Sequence, residues 1–357
     1  MCKSNDITKT NVTMNYQNNS INGTFEKNNK KFFYKMINCE KFISELNGYF
    51  MCNNQIPIMS IESVEKIDDR FIIVYNYNNS VTTNNGTLND LFVKYDNYSI
   101  IDIKKFMPIL KIYDKNLYNI KRNVTSKNDI FFKKRVFSRL IKWYSNCDLF
   151  NKEIYINDNI CNITKIIQNV FEYFNHQRNV ECFFTEGDPN TLNIGLDPCF
   201  FDLETCGYNS ILGELAITII SVLFFDNYYC PKYHNQSYFN HEKIFEIYKK
   251  YYPNITYKEY NNKIFLTGEI KSSYIRACYI EEYLKILKKH DIFLNNDLFN
   301  YIVMRLLCVF DIRNMEKIDS YYIIYLINYF NQILKDDVIE NLLKMVSKLK
   351  EDSYECK

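Results

Sequence analysis

Glycine is scarce in this sequence, and half of it falls in one place. Of eight glycines, Gly187, Gly195, Gly207 and Gly213 lie in a single short segment. Glycine serves where backbone must turn tightly or approach another group, so this clustering marks a shaped site. The segment reads Glu186-Gly187-Asp188-Pro189-Asn190-Thr191-Leu192-Asn193-Ile194-Gly195, then Phe200-Phe201-Asp202-Leu203-Glu204-Thr205-Cys206-Gly207-Tyr208-Asn209. Asn193 follows Asp188 by five residues, and Asp202 follows Asn193 by nine. At that spacing a base, a metal-binding amide and a metal-binding carboxylate can serve phosphoryl transfer. The bland alternative is an Asx-rich loop capping a helix, since Asp and Asn occur freely in turns.

The rest of the composition narrows the classes. A chain of 357 residues holds one large domain or two lobes. Its 47% hydrophobic content allows a sizeable core. A net charge of +2 gives no bulk attraction to nucleic acid or an anionic membrane, so neither is expected as a partner. Heavy use of Asn, Lys, Ile, Tyr and Phe reads as an AT-rich coding background, which discounts asparagine runs such as Asn76 to Asn85 as signals. Twelve cysteines are scattered with no CxxC pair, which predicts reduced, mostly buried thiols and no cysteine metal site. The first residues, Met1 to Thr13, are polar and lack a signal-peptide core. The longest apolar run, Ala216 to Phe225, is short of the ~20 residues that span a bilayer. A cytoplasmic location is expected.

Along the chain, short β-type runs come first: Val12 to Tyr16, Gly23 to Lys27, Lys31 to Ile37, Ile58 to Val64 and Arg70 to Tyr77. One helix, Cys39 to Met51, interrupts them. Beyond the Asn-rich connector helices dominate, beginning with Leu88 to Tyr95 capped by Thr87. Asn128 to Tyr144 is amphipathic, and Ile163 to Phe174 keeps helical spacing throughout. Strand-like Val180 to Phe184 and Cys199 to Asp202 flank the glycine cluster. Helical patterns at about Ile211 to Phe225, Tyr274 to Lys289, Asp297 to Val309, Ser320 to Leu334 and Val338 to Lys350 fill the remainder. The expected architecture is α+β and two-lobed: a strand-rich lobe over 1–78, a linker over 79–86 and a helical lobe over 87–357. A cleft between two such lobes is a common ligand site.

The glycine-rich segment resembles the catalytic core of the aminoglycoside phosphotransferase and choline kinase superfamily, small-molecule relatives of the protein kinases. The family pattern is His-Gly-Asp, four residues, Asn, then a strand ending in Asp-x-Glu or Asp-x-Asp before Gly-Tyr-Asn. The likeness is sharp over about Thr185 to Ala216, and element order extends it over most of the chain. It implies a protein-kinase-like fold with a small antiparallel sheet and one helix above a larger helical lobe. It also implies ATP, Mg²⁺ and a small-molecule hydroxyl acceptor: an aminoglycoside-like antibiotic, choline or ethanolamine, or another metabolite alcohol. On that resemblance Asp188 is the catalytic base or the orienter of the acceptor hydroxyl, Asn193 and Asp202 hold the metal, and Glu204 assists a second metal. Glu186 stands where the family carries its bracing His, which adds negative charge beside Asp188.

In the first lobe the resemblance implies a nucleotide site built on Lys35, in Phe32-Phe33-Tyr34-Lys35-Met36. Its helix partner is Glu45, with Glu40 the competitor; the bland reading is two solvated surface charges. The loop Asn19 to Thr24 offers Ser20, Asn22 and backbone N–H groups to phosphates, although it lacks the GxGxxG pattern. The hinge falls at Asn76 to Asn79, with Tyr75 and Tyr77 beside it in the nucleotide site. Glu214 reads as structural at a helix start. His176 serves the C-terminal dipole of its helix, and Trp143 reads as core. His234 and His241 lie in a polar loop near the acceptor pocket, where a metal pair has too few other ligands in sight. GxxxxGK[ST], GxSxG and HExxH are all absent. The rival from another class is a pseudokinase acting as a nucleotide binder or scaffold, motivated by Glu186 and the missing glycine loop. A protein-substrate kinase fits less well, because no Ala-Pro-Glu follows Asp202.

Overall fold

Alternating apolar runs joined by tight polar turns build the first sheet of this computed structural model. The structure describes residues 8–15, 20–52, 54–77, 86–98, 102–176, 180–234 and 253–355. Five antiparallel strands, β1 (Thr8–Asn15), β2 (Ser20–Lys27), β3 (Lys30–Asn38), β4 (Ile61–Ile67) and β5 (Arg70–Asn76), stand in the order β1-β2-β3-β5-β4. Asn28 and Asn29 turn β2 into β3 with φ of 53° and 57°. Such a left-handed pair matches the twist of a hairpin. Helix α1 (Cys39–Cys52) follows β3 and packs on this sheet. Ile37, Met59, Ile73 and Tyr75 form a small core there, joined by Cys199 of the second lobe.

The second lobe starts at α2 (Leu88–Tyr95), where Thr87 and Asp90 form a reciprocal capping box as expected. Then come α3 (Met107–Leu117), α4 (Lys127–Arg135), α5 (Ile163–Asn175), and short strands β8 (Cys182–Thr185), β9 (Ile194–Gly195), β10 (Cys199–Phe200) and β11 (Gly207–Ser210). Here α4 runs into a π-helical turn over Val136–Ile141. The central helix, α6 (Ile211–Ile220), is capped by Ser210 and continues through a second π-helical stretch, Ser221–Tyr229. Helices α8 (Tyr274–Lys289), α9 (Leu298–Cys308), α10 (Lys317–Ile333) and α11 (Val338–Glu355) close around it, with the short α7 (Cys230–Tyr233) at its end.

Three expectations need correction. The continuous helix Ile211–Tyr233 is, by length and composition, able to cross a membrane, longer than its apolar core suggested; 94% of its most apolar window is buried inside the protein, so it serves here as the spine of the lobe. The second lobe also holds a four-stranded sheet that the helical reading omitted: β12 (Asn254–Tyr260), β13 (Lys263–Glu269), β6 (Glu153–Ile156) and β7 (Asn159–Cys161), in that order. Finally, Cys52 at the end of α1 is joined to Cys206 as a disulfide, whereas eight other described cysteines are free thiols. The two are 154 residues apart, a separation from which no spacing rule predicts a pair.

Candidate functional site

Period-two alternation in β3 puts Phe33, Lys35 and Ile37 on one face, with Phe33 and Ile37 in the small core. Lys35 is therefore drawn under α1 and left 7% exposed. A buried ammonium requires partners, and two carboxylates supply them. Lys35 Nζ lies 2.8 Å from Glu45 Oε2 and 2.5 Å from Asp202 Oδ1. Burial works against its charge, but Asp202, Glu45 and Glu204 together outweigh that and hold its pKa above the usual value. Glu45 is thus the helix partner. Glu40 sits 3.7 Å from Lys134 at the surface.

Glu45 is held from a second side by Tyr75, whose hydroxyl donates to Oε1 at 2.8 Å. Tyr75 therefore acts here through its side chain, with its hydroxyl pKa raised by burial and by Glu45. The Tyr77 amide donates to Lys31 O at 3.2 Å and the Asn76 amide to Ser60 O at 2.9 Å, so both donors are already engaged by the sheet. Residues 78 and 79 of the expected hinge lie outside the described residues, as do Asn19 and His241. Ser20 pairs with Asn15 at the end of the β1–β2 ladder. Asn22 stands directly across the strands from Lys35, and its buried Oδ1 has no hydrogen-bond partner.

Asp202 takes a left-handed conformation, φ 56°, which turns its carboxylate back toward Lys35. Its side chain is 45% exposed. Partial desolvation raises its pKa, and Lys35 with Lys41 more than reverses this, leaving it below the ordinary carboxylate range. Glu204 is paired with Lys41 at 3.2 Å; burial and the Asp202 charge push its pKa up. Oxygens of Glu45, Asp202 and Glu204 all lie within 4.8 Å of one another. With Glu45 committed to Lys35 and Tyr75, Asp202 and Glu204 remain as hard oxygen donors of the kind Mg²⁺ takes. The donor set fits that ion.

Asp188 and Asn193 belong to one turn. Asn193 Nδ2 donates to the Asp188 carbonyl at 3.1 Å, so that bond takes its amide nitrogen and not its Oδ1. The Phe201 amide donates to Asn193 O at 2.9 Å, tying this turn to the loop that carries Asp202. From below, Asp226 accepts from the Thr191 amide (2.9 Å) and hydroxyl (2.7 Å). Beside the turn, Glu186 is fully buried and accepts from the Tyr113 hydroxyl at 2.7 Å. Burial, with the Asp188 charge adding, raises its carboxyl to about 7, against the Tyr113 bond. Glu214 is buried in the first turn of α6 and accepts from Thr185, the structural role expected.

Four contributors escaped sequence reading: Tyr75 as the anchor of Glu45, Lys41 at Glu204, Asp226 under the loop, and Arg305. The Arg305 Nη1 lies 3.3 Å from Asp188 Oδ1. One signal was present, because Arg305 is the sole charge in the helix Leu298–Cys308. His234 packs on Phe310, ring centroids 5.0 Å apart, and burial with the nearby Arg139 lowers its pKa. His176 caps α5, its Nδ1 2.7 Å from Glu172 O, and Trp143 packs on the main core, both as expected.

The sequence matches no family model, and no curated protein matches it. Solved structures with a similar chain path exist. One is a thermostable mutant of aminoglycoside phosphotransferase APH(4)-Ia in its apo form, 9% identical, TM-score 0.44, covering 97% of this chain and 95% of that one. Another is the aminoglycoside-3'-phosphotransferase of type VIII, 8% identical, TM-score 0.42, covering 68% and 92%. A third is spectinomycin phosphotransferase APH(9)-Ia in complex with ADP and spectinomycin, 10% identical, TM-score 0.35, covering 96% and 93%.

Proposed function

We propose that this protein is an ATP- and Mg²⁺-dependent phosphotransferase that acts on a hydroxyl of a small molecule. One observation carries the reading: Lys35, Glu45 and Asp202, from a strand, a helix and a loop 167 residues beyond the lysine, meet in one ion-paired cluster. A buried lysine shared by a helix glutamate and a loop aspartate is the arrangement that positions nucleotide phosphates in kinase-type sites. In this reading residues 1–78 form the nucleotide-binding lobe, 79–86 the linker and 87–357 the lobe that binds the acceptor. Adenine lies against the strand end near Tyr75 and Tyr77. Lys35, with Asn22 and Ser20 across the sheet, faces the phosphates. Asp202, Glu204 and Asn193 would hold Mg²⁺, which when bound neutralises phosphate charge.

The acceptor oxygen forms a bond to the γ-phosphorus as the bond to the bridging β–γ oxygen breaks. ADP leaves with that electron pair, and the hydroxyl proton passes to Asp188. Positioning and charge neutralisation account for most of the rate, and a well-placed base contributes about 10²–10⁴-fold. Use of ATP as co-substrate goes with a cytoplasmic location in this reading.

Calorimetry with Mg·ATP, followed by ADP release on added acceptors, tests the assignment. Asp188→Ala should abolish turnover and leave nucleotide binding intact; surviving turnover would remove Asp188 as the base. Asp202→Ala should eliminate Mg²⁺-dependent nucleotide binding. A protein that binds no nucleotide at all would refute the phosphotransferase reading.

A further inference from the structure

Among the described residues three arginines gather about Asp188: Arg305 pairs with it, Arg135 feels its charge, and Arg139 lies beside the other two. Arg305 is 6% exposed, lies 3.3 Å from Asp188 Oδ1, and donates from Nη2 to Ser221 Oγ at 2.9 Å, while its buried Nε has no hydrogen-bond partner. Asp188 Oδ1 likewise makes no hydrogen bond. Arg135 closes α4, with its guanidinium 3.8 Å from the Phe131 ring centre. Arg139 rises from the π-helical turn that follows, donating to Cys308 O at 2.6 Å and lying 5.5 Å from the Trp143 ring centre. Neither Arg135 nor Arg139 forms an ion pair among the described residues.

The three feel one another. Burial, then Arg139 and Arg305, pulls the Arg135 pKa down to about 9, against the charge of Asp188. Arg139 also depresses His234. Among the described residues Asp226 also feels Arg305, but burial drives it toward its neutral form and it already serves Thr191. Like charges gathered in a partly desolvated place repel one another. Arginine persists in such places where a planar carboxylate or a phosphate is recognised. Arg139 lies in the π-helical turn Val136–Ile141, and Arg305 bonds Ser221 at the start of the π-helical stretch Ser221–Tyr229; such turns are frequent at functional sites.

We propose that Arg135, Arg139 and Arg305 form an anion-reading wall beside Asp188, so that the hydroxyl acceptor carries a carboxylate or phosphate group. This rests on the phosphotransferase reading and narrows its acceptor. Arg305 orients the base and the anion together, while Arg135 and Arg139 supply the uncompensated charge. A cationic amine acceptor would meet repulsion at the same place.

Trp143, the single tryptophan, lies against Arg139 and reports on the wall directly. With the nucleotide site saturated by Mg·ADP, Trp143 fluorescence is titrated with glycerate, glycerol 3-phosphate, glycerol and choline. A saturable change with either anion, and none with glycerol or choline, is expected; the two anions separate carboxylate from phosphate preference. The double variant Arg135→Gln, Arg139→Gln should weaken that binding by about tenfold or more. Saturation by choline with no response to either anion would overturn the proposal, as would no response to any of the four, or anion binding unchanged in the double variant. The wild-type comparison needs no variant to fold. Because Mg·ATP binding is measured separately, loss of the anion wall and loss of the kinase reading are distinguishable.

Discussion

At the scale of single residues, the loop gives two neighbouring carboxylates opposite surroundings. Gly187, at φ 86°, makes the turn between them; a Cβ there would overlap the Thr205 carbonyl. Asp188 is thereby sent to the partly open Arg305 side, whereas Glu186 is sent into the core against Tyr113. With its carboxyl raised to about 7 by burial, Glu186 stays protonated in the fold after the unfolded chain has ionised. Its contribution is fully present below the unfolded value near 4.5 and is lost as pH rises to about 7. Glu186→Gln keeps an acceptor for Tyr113 and removes the titration. Urea unfolding at pH 5, 6, 7 and 8 should show a shallower fall in stability, with the variant gaining on the order of 2 kcal/mol at pH 8. An unchanged slope would place the titration elsewhere, with Glu214 the first suspect, because burial and Glu186 raise its pKa too. The glutamate in place of histidine was legible in the motif. Its partner was not, since Tyr113 is 73 residues away and nothing local distinguishes it from other tyrosines.

At the scale of elements, the register of α1 decides whether the ion-paired cluster forms. Glu45, Gly48 and Cys52 share one buried stripe of the helix, the i, i+3, i+7 spacing of a single face. Gly48 lies so close to the Leu203 backbone that any Cβ would overlap the Leu203 carbonyl. Gly48→Ala must therefore shift α1 away from the Asp202 segment and lengthen the reach from Glu45 to Lys35. We expect Mg·ATP affinity to fall by about tenfold or more, at a stability cost of about 1–3 kcal/mol from overpacking; calorimetry and thermal melts on one sample separate the two. Unaltered affinity would show that the helix position is not what sets Lys35. The amphipathic stripe of α1 and the strong run of β5 were readable because their periodicity is local. The sheet β12-β13-β6-β7 was not. Two of its strands have only four and three residues, and β6 pairs in parallel with β13, more than a hundred residues on. One signal was present and set aside. Asn261 and Asn262 (φ 47° and 62°) turn β12 into β13, the same device as Asn28 and Asn29, and discounting asparagine as compositional background hid it.

At the scale of the molecule, the helices around α6 are locked by a buried charge pair. Arg276 in α8 is 0% exposed, and its guanidinium meets Asp96, the C-cap of α2, at 2.9 Å. Its Nη1 also donates to Val222 O at 3.0 Å, within the π-helical stretch Ser221–Tyr229. One side chain thus ties α2 to the spine that carries Asp226 under the Asp188 turn. The sequence pattern marks Tyr274 to Lys289 as a helix but assigns no special place to an arginine within it, because Asp96 lies 180 residues earlier. Removing one member strands the other charge in a dry interior, which costs more than the pair itself is worth. Arg276→Met should lower unfolding free energy by about 3–5 kcal/mol, read from denaturant midpoints. Adding Asp96→Leu should recover much of that loss, because no charge then remains unpaired. Recovery of stability without recovery of Mg·ATP-dependent turnover would mean that the pair sets the position of the Asp226 stretch as well as holding the helices. Recovery of both would limit it to packing, and no recovery in the double variant would show that the Val222 carbonyl, left without its donor, is the larger part of the cost.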